Sequence, residues 1–342
     1  MKLKSILAAG AVVAVAGAAL PAAAQSMMET ITDRGELNCG VSTGLAGFSN
    51  PDSEGNWTGL DVDVCKAIAA AILGDSDAVS YTPATAQQRF TILQSGEVDL
   101  LSRNTTWTLT RDTSLGLHFA PVTFYDGQGF MVPRELGVTS ALELDGAAVC
   151  VQPGTTTELN LADYFRANGM EFEPVVIEQL DEVNAAYFSG RCDVYTTDAS
   201  GLASIRSTVA ENPEDHVILP ELISKEPLGP AVRQGDDEFF NIVKWVVFAL
   251  IEAEEYGINS DNVDDMRENS DNPGVQRLLG ATAGMGENLG LSEDWAYNAI
   301  SQVGNYGEIF ERNVGVDTPL GLERGYNDLW TRGGLMYAMP VR

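Results

Sequence analysis

The sequence predicts an α/β protein of two similar lobes, each built on an open β-sheet, and three observations support this fold class. Strand-like apolar runs alternate with helix-like segments, a pattern typical of open parallel sheets. The pattern occurs twice, and a Ser-Gly-x-x-Asp turn into a strand is present at residues 95–99 and again at 189–193. Removal of the first 24 of 342 residues leaves 318, a length that favours two lobes over one core.

Residues 1–24 have the features of a secretory signal peptide. Lys2 and Lys4 precede an apolar run at residues 6–20, and three alanines follow before Gln25. The run is too short and too poorly flanked for a membrane span, which leaves a retained anchor as the weaker alternative. No lipobox cysteine follows it, and no later segment approaches the ~20 apolar residues that a span requires. We therefore expect an exported, periplasmic protein without a membrane span.

The charge of the mature chain excludes some partners. Without Lys2 and Lys4, 18 of the 20 basic residues remain against 49 acidic residues, which gives a formal net charge of −31. A field of this sign repels phosphates, so nucleic acid is excluded as a partner and an anionic membrane surface is disfavoured. Solubility, for instance in a saline habitat, is sufficient to explain the acidity.

The four cysteines predict disulfides, because an exported chain meets an oxidising compartment. Four cysteines allow three pairings. Cys39 and Cys65 flank the first strand–helix unit, and Cys150 and Cys192 lie in the second half, so we expect Cys39–Cys65 and Cys150–Cys192, one disulfide in each lobe. A metal site is the weaker alternative, since no CxxC motif occurs and neither histidine is next to a cysteine in sequence.

The first half of the mature chain contains two strand–helix units before a third strand. Cys65, Ile68, Ala69 and Ile72 recur at three- and four-residue spacing, which predicts a helix at residues 59–73 with one buried stripe. In chain order, the segments are a helix at 28–32, a strand at 36–41, a Gly-rich loop at 42–56, the helix at 59–73, a strand at 79–81, a helix at 86–94 and a strand ending at 101.

The same order is predicted for the second half, between two extended crossings. The segments are an extended run at 128–132, a strand at 147–151, a helix from 154, a strand at 175–177, a helix at 181–188, a strand at 192–198 and an extended run at 228–232. Two facing extended crossings between α/β units predict a two-strand hinge. The expected domains are lobe 1 at residues 25–127, lobe 2 at 128–224, and 225–342 as a return to lobe 1 with a C-terminal extension.

The extension begins after an apolar helix at residues 237–256, which we expect to pack on lobe 1. Residues 257–342 are polar with a Trp- and Tyr-rich end, and the favoured interpretation is a packed extension. A separate binding module is the alternative.

Two charged residues carry the functional prediction, one in each half. Arg111 closes a hydroxyl-rich segment, residues 104–111, that follows a strand; a guanidinium beside hydrogen-bond donors suits a carboxylate. Asp198 ends a strand in the second half. Ligands of open α/β sheets bind beyond the carboxyl ends of strands, so facing lobes place a cation opposite an anion, as a zwitterion requires. The alternatives are a surface arginine after a turn and a helix N-cap.

Two further segments support a cleft between the lobes. Gly154 and the threonines after it open a helix, whose free N–H groups suit a carboxylate, although ordinary capping is the alternative. Phe48 lies in a Gly-rich loop, where it would either cover the aliphatic part of a ligand or belong to the core of its lobe.

These motifs resemble those of a known family. Residues 59–64 and the helix after them are similar to the signature of bacterial extracellular solute-binding proteins of the polar amino-acid group. The segment that ends at Arg111 matches the last five positions of that family's ligand-loop pattern, and Gly154–Thr156 and Asp198 fall on its other contact points. The tail, at residues 304–313 and 330–337, resembles the general L-amino-acid-binding proteins of ABC transporters. The resemblance covers residues 28–342 and implies the two-lobed periplasmic-binding-protein, or Venus-flytrap, fold.

The resemblance also implies residue roles. Arg111 would bind the α-carboxylate of an L-amino acid, helped by Thr106 and by the backbone around Thr156. The α-ammonium would meet Asp198 and the backbone carbonyl of Asn104, and Phe48 would cover the side chain. Arg103 and Asn104 depart from the serine or alanine that is common in the family. Arg103 would therefore either bias the pocket toward acidic or polar side chains or point into solvent.

The function implied is the periplasmic binding component of an ABC amino-acid importer, a monomer without cofactor or metal that closes on its ligand and docks on a membrane permease. Hinge closure is the motion that periplasmic binding proteins make around their ligands, and the resemblance implies it here by analogy. A dehydratase-like periplasmic enzyme and a ligand-presenting sensor subunit are the alternatives. The sequence contains no HExxH or P-loop motif, and His118 and His216 lie away from the ligand loops.

Overall fold

The computed structural model describes residues 26–342, so the signal peptide predicted at residues 1–24 lies outside the described residues. As far as the first crossing between the lobes, the elements are α1 (Met27–Arg34), β1 (Leu37–Val41), β2 (Asn50–Pro51), β3 (Trp57–Thr58), α2 (Leu60–Leu73), β4 (Val79–Pro83), α3 (Arg89–Ser95), β5 (Leu100–Leu101), α4 (Leu109–Ser114), β6 (Leu117–Phe119) and β7 (Phe124–Asp126).

The second lobe follows, and the chain then returns to the first. The elements of the second lobe are β8 (Gln128–Pro133), β9 (Ala148–Val151), α5 (Thr156–Ala167), β10 (Glu173–Val176), α6 (Leu180–Phe188), β11 (Val194–Asp198), α7 (Ala199–Thr208) and β12 (His216–Ile218). The returning chain contains β13 (Glu226–Leu228), β14 (Ala231–Arg233), α8 (Asp237–Glu255), α9 (Val263–Asn269), α10 (Pro273–Leu278), α11 (Trp295–Val303) and α12 (Tyr306–Asn313).

Two five-stranded sheets with equivalent topologies form the centres of the two lobes. Their strand orders are β4-β1-β5-β14-β6 and β10-β9-β11-β8-β12. The first three strands of each sheet run parallel, as the sequence predicts. The fourth strand runs antiparallel in both sheets, because β8 and β14 are the segments that enter each lobe from a crossing. The two-lobed α/β fold is therefore confirmed, with mixed rather than fully parallel sheets.

The hinge is a separate two-stranded antiparallel sheet of β7 and β13, in which Glu226 lies opposite Asp126 and Leu228 opposite Phe124. The hinge strands predicted at 128–132 and 228–232 are a few residues too late in the chain. Residues 128–133 belong to the second sheet, and 231–233 to the first. Each crossing is extended on both sides of the hinge, so the hydrophobic pattern does not separate hinge residues from sheet residues.

Helix α8 and the C-terminal extension pack against lobe 1. Asp236 caps α8 by accepting a hydrogen bond from the backbone N–H of Phe239 at 2.9 Å. The apolar face of α8 contacts α2, and α11 packs along α2 with Trp295 fully buried. The extension also reaches the hinge, where the Asn327 side chain accepts from the backbone N–H of Tyr125 at 2.6 Å and donates to its carbonyl at 3.1 Å. This helix prediction and the packed-extension interpretation therefore agree with the structure.

Both lobes contain one disulfide, and the pairs are those expected from the sequence. Cys39 on β1 joins Cys65 on α2, and Cys150 on β9 joins Cys192 just before β11. Each bond ties a central strand to another segment of its own lobe. Within residues 26–342, no helix is long and apolar enough to cross a membrane.

Candidate functional site

A narrow cleft lies between the lobes, where the carboxyl ends of their parallel strands meet. The segments that form its walls come after β1, β4, β5, β9, β10 and β11 in the chain. Lobe 1 contributes Ser42, Leu45, Ala86, Arg89, Arg103, Asn104 and Thr106, and lobe 2 contributes Gln152, Thr155, Thr156, Thr157, Leu180, Tyr195, Thr197, Asp198, Ser200, Gly201 and Ile205.

The loop after β5 has a strained backbone at Asn104. This residue has a φ of 30°, and it is the one non-glycine residue with positive φ in the described chain. Its backbone N–H donates to a carboxylate oxygen of Asp61 at 2.7 Å. Asp61 is buried in the first turn of α2, and burial raises its pKa to about 6. The acid at the start of this helix therefore holds the loop that lines the cleft, a role that the sequence did not indicate.

Arg111 lies on the short helix α4, although the sequence predicted a loop. Thr108 caps this helix by accepting a hydrogen bond from the backbone N–H of Arg111 at 3.3 Å. The guanidinium is buried, donates to the carbonyl of Thr106 at 2.9 Å, and lies 5.1 Å from the centre of the Phe90 ring. The surface alternative is thus wrong. Arg111 is not part of the cleft wall itself. The polar segment that forms α4 lacks the apolar periodicity by which a helix is recognised.

Arg89 is a second arginine on the same ring, and sequence reasoning missed it. Its guanidinium lies 4.9 Å from the Phe90 centroid, lines the cleft, and is 3% exposed. One guanidinium nitrogen donates across the cleft to the carbonyl of Gly154 at 3.4 Å, and the buried Nε has no partner within residues 26–342. Burial first, and then the charges of Arg111 and Arg103, lower its pKa well below the usual value. The available signal was a cation in the first turn of α3, where the helix dipole disfavours it.

Arg103 also lines the cleft and does not point into solvent. Its Nε donates to the carbonyl of Ala84 at 2.9 Å, and burial lowers its pKa to about 10. Asp61 is the carboxylate that most opposes this shift. Arg89 and Arg103 on the cleft wall, with Arg111 buried nearby, make this side of lobe 1 cationic. Such a wall is suited to an anionic group.

Asp198 provides the anionic wall in lobe 2. It occupies the N-cap position of α7, as the alternative expected, but its side chain makes no capping hydrogen bond. The residue is buried, and its pKa is raised well above the usual value by burial first and then by Asp126 and Glu226. A buried carboxylate with these neighbours needs a cation to remain charged. Arg89 and Arg111 are the cations of the protein that act against this shift.

Thr106 and Thr156 meet at a buried carboxylate that the sequence did not reveal. Their hydroxyl oxygens are 3.3 Å apart, and both hydroxyls donate to the same oxygen of Glu226, at 2.6 and 2.8 Å. Asn160 and Ser224 donate to the other oxygen at 2.8 and 2.5 Å. In sequence, Glu226 follows a lysine in a polar stretch and is indistinguishable from a surface residue.

The turn before α5 brings lobe 2 close to lobe 1. Gly154 has a φ of +72°, and a Cβ there would lie 3.1 Å from the Cα of Gln87. Thr155 caps α5 by accepting from the backbone N–H of Glu158 at 3.1 Å. The capping alternative is therefore correct for Thr155, while Thr156 begins the helix at the cleft wall.

Phe48 requires a correction, because it does not line the cleft. Its ring is 1% exposed and packs edge-on against Phe124 with centroids 5.3 Å apart, in the core of lobe 1. Gly59 explains the position: the backbone N–H of Asp61 donates to the Phe48 carbonyl, which lies where a Cβ of residue 59 would be. Leu45, three residues earlier in the same loop, is the apolar side chain at the cleft wall.

The two histidines lie outside the cleft. His118 packs on Phe240 with ring centroids 4.8 Å apart, and Nδ1 of His216 lies 2.9 Å from the hydroxyl of Tyr187. A cleft between hinged lobes, with opposite charges on its two walls, defines a solute-binding protein of the two-lobed class.

The chain belongs to the bacterial extracellular solute-binding proteins, family 3, whose model matches residues 37–261. It is a periplasmic protein, as members of that family are exported. The chain is 60% identical to a general L-amino acid-binding periplasmic protein of Rhizobium johnstonii over the whole of both chains. It is 54% identical to a glutamate/glutamine/aspartate/asparagine-binding protein of Rhodobacter capsulatus, over 96% of this chain and 97% of that one.

A solved structure has the same fold. A periplasmic binding protein from Brucella ovis with glutathione bound superposes with a TM-score of 0.91 at 57% identity, over 93% of this chain and 100% of that chain. These relatives are binding proteins by name.

Proposed function

We propose that this protein is the periplasmic binding component of an ABC-type importer, which captures L-amino acids by hinge closure and delivers them to a membrane permease. One observation carries the proposal: the cleft has buried arginines on the lobe 1 wall and, on the lobe 2 wall, a buried aspartate whose side chain makes no capping hydrogen bond. A zwitterion neutralises both walls at once only when the lobes are closed. Its binding therefore favours the closed state over the open one.

The residue roles follow from this geometry. Arg111, with Arg89 on the same Phe90 ring, attracts the α-carboxylate, and the backbone N–H groups at Thr156 complete that end of the site, which the Thr106 side chain also lines. Asp198 accepts the α-ammonium, helped by the carbonyl of Asn104 in the strained loop. We propose the same chain division as above: lobe 1 at residues 25–127, lobe 2 at 128–224, and 225–342 as the return with the extension.

Amino acids with polar or acidic side chains are the proposed preferred ligands. Zwitterion recognition uses one carboxylate, yet three arginines face this region, and Arg89 Nε has no partner in the described part of the chain. A second oxygen-bearing group on the ligand would satisfy Arg89 or Arg103. The names of the relatives from Rhodobacter capsulatus, which include glutamate and aspartate, and from Rhizobium johnstonii agree with such a range.

We favour binding over catalysis on the same scaffold. Both histidines pack against aromatic rings outside the cleft, and the cleft acid Asp198 is best used as a partner for an ammonium. The relatives named above are binding proteins, which supports this choice.

Calorimetry on the mature protein with the common L-amino acids tests the proposal. We expect binding of glutamate, aspartate, glutamine and asparagine by the wild type. Arg111→Ala and Asp198→Ala should each abolish measurable binding, and alanine in place of exposed Arg166 serves as the control for loss of an arginine. Absence of heat or thermal stabilisation with every amino acid would refute the amino-acid assignment.

A further inference from the structure

Glu226 lies on the hinge strand β13, outside the cleft wall, and is 1% exposed. Four side chains donate hydrogen bonds to its two oxygens, at 2.5 to 2.8 Å. No cation of residues 26–342 forms an ion pair with it. This carboxylate is therefore held by hydroxyl and amide donors. Hydrogen bonds to a charged acceptor are stronger than those between neutral groups, so these four contacts are strong ones.

The donors come from both lobes. Thr106 follows β5 of lobe 1, whereas Thr156 and Asn160 lie on α5 of lobe 2. Ser224 belongs to the crossing that leads into β13. A single oxygen of Glu226 accepts from Thr106 and from Thr156, so one buried atom joins the two lobes beside the cleft. These contacts depend on closure, because Thr106 and Thr156 are on opposite walls.

The hydrogen-bond chemistry also fixes the orientation of both hydroxyls. An ionised carboxylate only accepts, so Thr106 and Thr156 must turn their protons toward Glu226. Each hydroxyl then offers lone pairs, and no proton, to the cleft that it lines. The anion of a ligand is thereby left to the arginines and backbone N–H groups, while the threonine oxygens favour an ammonium.

The position of Glu226 is costly, which argues for a role beyond folding. It lies directly opposite Asp126 in the hinge sheet, and like charges in such a pair are destabilising. Asp126 is half-buried, accepts hydrogen bonds from Ser200 in lobe 2, and has its pKa raised to about 6 by loss of solvation. A hinge with two opposed acids is retained more readily if one of them performs a task.

We propose that Glu226 is a positioning residue that joins the lobes in the closed form and orients Thr106 and Thr156 for the ligand. This inference rests on the proposed function for its ligand-binding arm. The part that concerns the conformation does not rest on the proposed function, because the contacts that join the lobes in the closed state are made by the protein alone. Loss of Glu226 should raise the free energy of closure by the same amount for every ligand.

The decisive variant is Glu226→Gln, which keeps the shape but replaces one acceptor with an N–H donor that faces other donors. Small-angle scattering of the ligand-free protein should show a shift toward the open form. Calorimetry should show a dissociation constant raised about tenfold or more, by a similar factor for all amino acids that bind, which is the effect of losing one charged hydrogen bond. Thr156→Val should give the same pattern, and little additional loss when combined with Glu226→Gln.

Glu221→Gln is the matched control, since Glu221 lies on the same crossing and accepts from Ser140 and Ala141, both in lobe 2. It should change neither the scattering nor the affinity. The proposal is overturned if Glu226→Gln leaves both unchanged, or if its effect differs strongly between ligands, since that would mean direct ligand contact. If Glu226→Gln does not fold, Thr156→Val decides by the same two measurements. Failure of the wild type to bind amino acids, with opening still seen in Glu226→Gln, would refute only the proposed function.

Discussion

Asp198→Asn should have opposite effects on the empty protein and on its complex. The ligand-free carboxylate is buried, receives no capping hydrogen bond, and lies near Asp126 and Glu226. Removing its charge relieves repulsion and removes the cost of burying an ion. In the complex, the same substitution removes the partner of the ligand ammonium. Stability without ligand should therefore rise while affinity falls.

The sizes of the two effects follow from burial. Breaking a buried, hydrogen-bonded charge pair costs roughly 2–5 kcal/mol, so a loss of about 3 kcal/mol, or about 150-fold in Kd, is expected. The gain in the empty protein should be about 1 kcal/mol, which corresponds to an increase of about 1–2 °C in Tm for a chain of this length, at roughly 2.1 cal/mol/K of unfolding entropy per residue. Asn is nearly the same size as Asp, so packing should be preserved.

Thermal unfolding at pH 7 with and without amino acid, together with calorimetry, measures both quantities. Asp163→Asn, a change of the same type at an exposed position on α5, should move neither. A variant that is less stable than wild type without ligand would show that Asp198 stabilises the fold through contacts of its own. Unchanged affinity would remove Asp198 from the ligand site.

Three further outcomes are expected. Binding near pH 6 should release protons and should weaken as the pH falls, because the ligand ammonium favours the ionised form of Asp198, whose pKa is raised in the empty protein. Asp126 also gains a proton in this range, since its pKa is about 6. Equal heats of binding in two buffers of different ionisation enthalpy would contradict this prediction. Arg89→Met should stabilise the empty protein by about 1 kcal/mol, because it removes a buried charge, yet it should lower the affinity for glutamate more than for alanine. Equal losses of affinity for both ligands would refute a contact between Arg89 and the side chain of the ligand. Gly59→Ala should cost about 3 kcal/mol or more in denaturant unfolding, since its Cβ would lie 2.1 Å from the Phe48 carbonyl oxygen, whereas Gly55→Ala, also at positive φ but in open space, should cost far less.

Sequence reasoning predicted well those features that repeat or have strong periodicity. The Cys65 to Ile72 stripe located α2, and the repeated turn at residues 95–99 and 189–193 revealed two equivalent sheets. The strand ends at Leu101 and Asp198 were located because an apolar run stops there and polar residues follow. These are local signals, and local signals are what a single sequence provides.

The features that were missed depend on distant contacts. Glu226 acquires its meaning from Thr106 and Thr156, which are 120 and 70 residues away. Arg89 appears as an ordinary helix residue until Gly154 and Arg111 are brought beside it. Phe48 was ambiguous because an aromatic residue in a Gly-rich loop packs equally well inward or outward, and only the path of the chain past Gly59 decides.

The contact between Asn327 and Tyr125 has a consequence for the exposed border of the hinge ribbon. A two-stranded sheet has unpaired backbone groups along both borders, and such borders invite pairing with other chains. The amide of Asn327 occupies both backbone groups of Tyr125, as a third strand would, without adding a strand. The C-terminal extension thus covers this edge of the hinge sheet without adding a third strand. The two hinge strands can still bend, while the covered edge is protected from pairing with a second copy of the chain.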